Sequence, residues 1–327
     1  MRRRHFLAAL GGAAASWPCL LRGQAGPARI GFLAEGAEAS INSAYQIRTI
    51  KRGLSDNGLV EHRDYLFDPR FAAGNFERFP EMARDLARAG ARVLVANAVA
   101  AVRAAQQLDP LVAVVMCGVD TPVGNGVAAS LAKPGGRTTG IVTESESLTP
   151  KMLEWQRAVL PEAASMALLY NPASLPAAAF MDDLRRRANA LRIAIRPVAF
   201  ASRNELEAAF GRLAKTPPDA VYVMMDSGTD DFIDRIPALA LAHRLPAFGS
   251  APELAAFGGL IGYGASREQL YLRTGFFVRK ILDGAGPDDI PVEPPPRPAL
   301  WINPRTASAL DLSIPTPLLA VADKILQ

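Results

Sequence analysis

The chain has 327 residues, a length that favours about two domains. Lys and Arg exceed Asp and Glu by four, but residues 1–25 hold four arginines and no acid. The rest of the chain therefore carries 32 basic and 32 acidic residues. Because residues 26–327 have no net charge, their overall charge gives no reason to expect binding to nucleic acid or to an acidic membrane surface.

The first 25 residues have the organisation of an export signal. Arginines 2–4 precede an apolar stretch of small residues, and "GQA" at 23–25 offers a cleavage site. The sequence "RRRHFL" resembles a twin-arginine signal, which predicts export to the periplasm by that route. A disordered basic tail is the alternative. Cys19 follows Trp17 and Pro18, where a lipid-attachment motif has small residues, so we expect no lipidation.

Short β-branched runs alternate with amphipathic stretches from residue 29 onward. This alternation predicts βαβ units on a parallel sheet that is covered on both faces. The expected strands are 29–34, 64–71, 91–97 and 111–117, and the expected helices are 43–58, 75–90 and 98–108. Cys117 ends the fourth strand, where a buried, inert thiol is expected.

The alternation restarts after a glycine- and proline-rich segment at 120–140. The expected helices are 149–161, 175–191, 202–215 and 230–244, and the expected strands are 165–171, 193–200, 219–226 and 246–250. No internal sequence repeat accompanies the repeated architecture. The pattern predicts two successive doubly wound units rather than one large sheet.

The final third of the chain has a different organisation. A strand is expected at 258–264, followed by a helix at 266–284 that Ser266 and Gln269 would cap. Residues 285–298 contain six prolines and predict an extended strap. A strand "ALWIN" and two short helical pieces complete the chain.

Sequence signatures of common enzymes are missing. The chain has no G-x-x-x-x-G-K-[ST], H-E-x-x-H, C-x-x-C or G-x-S-x-G motif. Asp230 and Asp231 would lie in the first turn of a helix, where they complement its dipole. His62 and His243 are expected at the surface. We therefore expect no catalytic residue, no metal and no cofactor.

Several segments together resemble a known family. Residues 120–140 follow the pattern D-P-V-x-x-G-L-V-x-S-L-x-[RK]-P-G-G-N-x-T-G, with Val123 one place late. Further matches are the amino-terminal "RRRHFLAALGGAAASWP", "YNP" at 170–172, "GGLIGYG" at 258–264 and "WINPRTASALDLSIPTPLLAVADKIL". The chain resembles the substrate-binding proteins of ATP-binding-cassette importers, in the group whose characterised members take aromatic or other hydrophobic amino acids.

The resemblance implies a fold of the periplasmic binding protein type I kind, with two doubly wound parallel-sheet α/β lobes joined by three crossover strands. Lobe 1 would comprise 26–141 plus 252–285, and lobe 2 would comprise 142–251 plus 286–327. The crossings would be 140–145, a segment near 248–253 and the proline-rich strap. Ligands of such sheets bind beyond the carboxyl ends of the strands, here in a cleft that closes by hinge motion.

Strand ends and helix starts nominate the ligand-binding residues under this resemblance. A bound amino acid needs hydroxyl and amide donors for its carboxylate, such as Ser40, and an acid for its ammonium, from Asp226 or Asp120. Tyr263 or Phe32 would supply an aromatic wall. The candidates are Glu35, Ser40, Asn97, Asp120, Thr143, Asn171, Asp226, Ser250 and Tyr263.

One departure separates this chain from many relatives. Where they carry Gly-Thr-Pro after the third strand, this chain has Asn97, Ala98 and Val99. A hydroxyl is missing at that helix start, so the ligand of the relatives does not transfer directly.

The expected function is that of a monomeric periplasmic receptor that binds a small molecule, an amino acid or small carboxylate, and delivers it to an ABC permease in the inner membrane. A secreted two-domain enzyme and a ligand-sensing subunit of a membrane receptor are the alternatives. A transcriptional regulator with the same core is disfavoured, because an exported chain has no amino-terminal helix-turn-helix.

Overall fold

A computed structural model describes residues 26–108, 112–143, 145–172, 178–226, 228–295 and 297–327. The predicted export signal, its cleavage site and Cys19 lie outside the described residues. Within them, no helix combines the length and the apolar character that a membrane span requires.

The first lobe is built on a parallel sheet of five strands in the order β2-β1-β3-β4-β5. Its strands are β1 Ala28–Ala34, β2 Tyr65–Phe71, β3 Ala91–Ala96, β4 Ala113–Asp120 and β5 Thr138–Thr143. Its first three helices are α1 Ile41–Asp56, α2 Phe79–Arg88 and α3 Val99–Gln106. The parallel α/β lobe predicted from the alternating pattern is thus confirmed.

Both faces of this sheet are buried, which explains the continuous apolar runs of its strands. Ile30, Phe32 and Val95 point into one hydrophobic cluster, and Leu33 and Leu94 point into the cluster on the other face. The Phe32 side chain is fully buried and its ring lies 6.1 Å from that of Phe67. Phe32 therefore belongs to the core, and the prediction that it lines the ligand site is wrong.

The second lobe contains a sheet of seven strands in the order β12-β11-β10-β9-β8-β6-β7. The strands are β6 Ser165–Tyr170, β7 Ala194–Ala199, β8 Ala220–Val223, β9 Ala247–Gly249, β10 Ile261–Gly264, β11 Ala299–Ile302 and β12 Lys324–Ile325. The helices between β5 and β10 are α4 Ser145–Val159, α5 Ala178–Ala190, α6 Arg203–Leu213, α7 Arg235–Ala242 and α8 Glu253–Ala256. The later helices are α9 Arg267–Leu282, α10 Pro304–Ala309 and α11 Thr316–Ala320.

Strand β10 lies in the second sheet, between β9 and the antiparallel β11. The sequence prediction placed 258–264 in lobe 1 after a crossing near 248–253, and for this segment it is wrong. The glycines allow the packing, because a Cβ on Gly264 would lie 2.0 Å from the carbonyl oxygen of Ser250. The second crossing therefore falls between β10 and α9.

Helix α9 returns the chain to the first lobe and packs on α1, β4 and β5. Its closest approach to α1 is backbone on backbone, at Gly275 and Gly53. A Cβ on Gly275 would lie 2.1 Å from the carbonyl oxygen of Gly53. Only glycine permits this approach, since any side chain would force the two helices apart.

The proline-rich strap runs beside β5, which leads into the first crossing. The Glu293 N–H donates to the Gly140 carbonyl at 2.9 Å, and the Val142 N–H donates to the Glu293 carbonyl at 3.1 Å. Arg273 on α9 holds the Glu293 carboxylate with two hydrogen bonds of 2.7 and 2.6 Å. The strap and β5 thus form a short two-stranded ribbon where the chain passes between the lobes.

Candidate functional site

A buried polar contact joins the two lobes beyond the ends of β1 and β6. Glu35 follows β1 and is 1% exposed, and its Oε1 accepts a hydrogen bond from Asn171 Nδ2 at 2.9 Å. Asn171 follows β6 of the second lobe. The Glu35 N–H donates to Asn97 Oδ1 at 3.2 Å, which ties the end of β3 to the same contact. Three sequence-predicted residues therefore meet at the carboxyl ends of strands from both sheets.

The contact continues into the first lobe as a chain of hydrogen bonds. Asn97 Nδ2 donates to Gln46 Oε1 at 3.5 Å, and Gln46 Nε2 donates to the Tyr271 hydroxyl at 3.1 Å. Gln46 is fully buried, and burial raises the pKa of the Tyr271 hydroxyl. These hydrogen bonds fix the orientation of the Asn97 amide, because its oxygen accepts from the Glu35 N–H and its nitrogen donates to Gln46.

A second interlobe contact involves Asp231, which lies in the 3-10 turn Thr229–Phe232 of the second lobe. Its carboxylate accepts from the Ala37 N–H at 3.0 Å and from Asn42 Nδ2 at 3.5 Å, both in the first lobe. Burial raises the pKa of Asp231, and hydrogen bonds from Ala37 and Ser40 oppose that rise. Gly36 allows the approach, because a Cβ there would lie 2.8 Å from an Asp231 oxygen.

A third interlobe contact is the ion pair of Asp230 with Arg267, the first residue of α9. The side chains are 1% and 12% exposed, so the pair is almost completely removed from water. Glu253 lies beside it and accepts from the Ser266 hydroxyl at 3.1 Å and from the Arg267 N–H at 2.9 Å. Burial raises the pKa of Glu253.

The Glu253 contacts correct a detail of the sequence prediction. Ser266 was expected to cap α9 together with Gln269, yet the Ser266 side chain makes no capping hydrogen bond. Glu253 from α8 instead receives the first N–H of the helix. A residue from another element has taken the role that the local pattern assigned to Ser266.

Asp226 and Ser250 lie beyond the adjacent strands β8 and β9 of the second lobe. The Thr229 N–H donates to Asp226 Oδ1 at 2.7 Å, and the Asp226 N–H donates to the Thr229 hydroxyl oxygen at 2.7 Å. Ser250 Oγ accepts from the Met225 N–H at 2.8 Å and is 5% exposed. These hydrogen bonds set the path of the chain into the turn that carries Asp230.

Asp120 and Thr143 occupy paired positions at the ends of β4 and β5. Both side chains are half-buried. Asp120 Oδ1 accepts from the Thr121 N–H at 3.0 Å, and the Asp120 carbonyl accepts from Asn125 Nδ2 at 3.2 Å. The start of the segment 120–140 is thereby held at the edge of the first sheet, next to the first crossing.

Ser40 and Tyr263 lie on opposite lobes. Ser40 caps α1, its Oγ accepting from the Ser43 N–H at 2.9 Å, so it stands at the amino end of a 16-residue helix. The Tyr263 ring packs edge-on against Trp155 of α4, with 4.3 Å between ring centroids. Tyr263 thus has an aromatic partner within the second lobe.

Comparison with known proteins identifies the family. A family model described as ABC transporter substrate binding protein matches residues 39–326. The chain belongs to this family. Like its relatives, this substrate-binding protein binds a small ligand for an ABC transporter, and the family is one of binding proteins rather than enzymes.

Individual relatives are distant in sequence but cover most of the chain. The chain is 23% identical to a tyrosine-binding protein of Clostridioides difficile over 80% of this chain and 75% of that protein. A Streptococcus pneumonia structure in complex with L-Trp matches with 22% identity and a TM-score of 0.81, over 92% of this chain and all of that one. A ligand-free, open substrate-binding protein from Clostridium difficile matches with 20% identity and a TM-score of 0.62, over 92% and 99%. These structures confirm the two-lobed periplasmic binding protein fold.

Sequence reasoning missed the residues that make the second and third interlobe contacts. Asp230 and Asp231 were interpreted as helix-dipole partners, whereas both reach the first lobe. Arg267 carried a usable signal, because a cation in the first turn of a helix opposes the helix dipole and needs another reason to be there. Its ion pair with Asp230 is that reason. Among the described residues, no group of three or more His, Cys, Asp or Glu could hold a metal ion.

Proposed function

We propose that this substrate-binding protein captures an amino acid, or a related small carboxylate, between its lobes in the periplasm and presents it to an ABC permease in the inner membrane. The contact between Asn171 and Glu35 carries the proposal. It joins the carboxyl ends of strands from both sheets, which is the place where open α/β sheets bind ligands. Asp231 and Arg267 make two further contacts between the lobes.

The proposed site residues offer groups for both ends of an amino acid. Asp120, Asp226 and Glu35 supply carboxylates for an ammonium group. Ser40 and the first turn of α1 supply hydroxyl and amide donors for a carboxylate. Two relatives with amino-acid ligands in their names, tyrosine and L-Trp, support this class. We include Asn97, Thr143, Ser250 and Tyr263 in the proposed site as polar groups at the same strand ends.

The test is a thermal-shift panel on residues 26–327 after unfolding and refolding to remove any bound ligand. The panel contains amino acids, aromatic acids, nucleobases and small carboxylates. A ligand at about a hundred times its Kd should stabilise the protein by about 2.7 kcal/mol. A shift confined to amino acids or carboxylates, without turnover, supports the proposal. Turnover of any member would contradict it.

Matched variants test the ammonium partners. Asp120→Asn and Asp226→Asn keep the side-chain shape and the acceptor oxygen of their local hydrogen bonds while removing the charge. Loss of a carboxylate that contacts ammonium should weaken binding of an amino acid by about tenfold or more. Asp311→Asn is the control, because Asp311 is exposed on the second lobe. Unchanged binding in both cleft variants would remove these two acids from the proposed site.

The transport role is tested separately from binding. Cells that lack this protein should lose uptake of the radiolabelled ligand that the panel identifies, and the full-length chain should restore it. Normal uptake without the protein would favour a sensing role over delivery to a permease.

A further inference from the structure

A cavity of about 710 Å³ opens at the edge of the first sheet opposite the proposed ligand site. It is bordered by the starts of β3 and β4 at Ala91 and Ala113, and by the ends of α2 and α9. Asn97 and Asp120, two residues of the proposed ligand site, lie at the other ends of the same strands. The eight residues of β4 separate the two places by roughly 23 Å.

Four arginines line this cavity: Arg84, Arg88, Arg92 and Arg137. None of the described lining residues is acidic. Arg88 approaches Asp85 at 3.4 Å, but both side chains are exposed, so the pair neutralises the cavity weakly. The other three guanidinium groups form no ion pair with any described residue.

Arg137 is the most informative of the four. Its Nη1 atom is buried and has no hydrogen-bond partner among the described residues. The backbone is held on both sides, because the Arg137 N–H donates to Asp288 Oδ1 at 2.9 Å and its carbonyl accepts from the Val114 N–H at 2.9 Å. A buried donor without a partner is rare in folded proteins, so a ligand acceptor at this nitrogen would be favourable.

The walls of the cavity add a second requirement. Apolar side chains of Leu108, Val112 and Ile281 line it together with the arginines. A ligand that satisfies both would carry an anionic group for the guanidinium forks and an apolar part for the walls. Phosphate suits several arginines at once, because it has more oxygens than a carboxylate and each guanidinium fork can bind two of them.

We propose that this arginine-lined cavity binds a phosphate group that belongs to an amphiphilic molecule. Two sources carry this chemistry: a free phosphorylated compound and the headgroup of an anionic phospholipid. Among the described residues, three acids adjoin lining residues in the sequence and have partners: Asp85 pairs with Arg88, Asp283 pairs with Arg279, and Asp288 accepts from the Arg137 N–H. They therefore leave the Arg137 guanidinium available to a ligand.

In the first experimental arm, inorganic pyrophosphate is titrated into residues 26–327 at low salt, and calorimetry measures the heat of binding. The second arm measures co-sedimentation with vesicles of phosphatidylglycerol and phosphatidylcholine, against vesicles of phosphatidylcholine alone. Each arm uses Arg137→Gln and the control Arg244→Gln. The control removes the same charge from an exposed residue of the second lobe.

We expect Arg137→Gln to weaken pyrophosphate or vesicle binding by about tenfold or more, and Arg244→Gln to change it by less than about twofold. Pyrophosphate binding that depends on Arg137 identifies a free phosphorylated ligand, and vesicle binding alone identifies a lipid headgroup. Binding that both variants weaken equally would be non-specific charge attraction and would overturn the proposal, as would no binding in either arm. An unchanged amino-acid panel in Arg137→Gln shows that the variant is folded and separates this proposal from that of the cleft.

Discussion

The close backbone approach of α1 and α9 in the first lobe yields a prediction that needs no ligand. Replacing Gly275 by Ala places a Cβ 2.1 Å from the Gly53 carbonyl oxygen and 2.7 Å from the Leu54 nitrogen. Ordinary contacts are about 3.5 Å or longer, so α1 and α9 must separate by more than about 1 Å. Both neighbours are backbone atoms, so no side-chain rotation can relieve the contact.

The magnitude follows from two opposing effects. Alanine in a helix interior gains about 1 kcal/mol over glycine. Overpacking at a site that cannot yield costs about 3 kcal/mol or more. The free energy of unfolding of Gly275→Ala should therefore fall by about 2 kcal/mol, which lowers Tm by roughly 3 °C for a protein of about 300 residues.

Gly211 supplies the matched control. It lies within α6, and a Cβ there would meet no atom within 4 Å. Gly211→Ala should therefore raise the free energy of unfolding by about 0.5–1 kcal/mol. Urea unfolding and thermal melts of both variants measure the difference. Equal stabilisation by the two substitutions would refute the close approach of α1 and α9.

Three further predictions concern buried ionisable groups. Asp230→Asn leaves Arg267 without its buried ion-pair partner, which costs the closed form about 3 kcal/mol. The affinity for the ligand that the panel identifies should therefore fall about a hundredfold, and an unchanged Kd would show that the pair does not stabilise the closed form. Burial raises the pKa of Glu253 above its ordinary value of 4.5, so the stability that its neutral form provides is present at low pH and is lost as the pH rises through the raised pKa. Glu253→Gln should therefore become more stable relative to wild type as the pH rises above 4.5 in urea titrations, and a parallel pair of curves would contradict this. Desolvation raises the pKa of the Cys117 thiol to about 12. A disulfide reagent at pH 8 should therefore modify this thiol in residues 26–327 only after unfolding. Rapid labelling of the native protein would instead place the thiol at the surface.

The architecture could be predicted from the sequence because local patterns determine it. Apolar runs such as 29–34 and 91–97 are buried on both faces, and the amphipathic stretches between them form helices. The same patterns do not show which sheet a strand joins. Residues 261–264 form the strand expected within 258–264, but it pairs with β9 and β11, and glycines at 262 and 264 allow close contact with the backbone of residues 250–252.

The interlobe contacts were predictable only in part for a related reason. Glu35, Asn97 and Asn171 were among the predicted residues because strand ends are visible in the sequence, and parallel sheets gather those ends at one edge. Asp231 and Arg267 depend on how the two lobes face each other, which no local pattern encodes. The prediction for Phe32 was wrong because a side chain near the end of a strand can still point into the core.

The return of α9 to the first lobe has a consequence for the order in which the protein folds. Gly53 and Gly275 are in contact although the whole second sheet up to β10 is encoded between them. The first lobe therefore cannot complete its core while the chain emerges from the ribosome, and its surface for α9 stays open until that helix is made. Non-local contacts of this kind slow folding. We expect the two lobes to reach their native state nearly together, late in synthesis or after it.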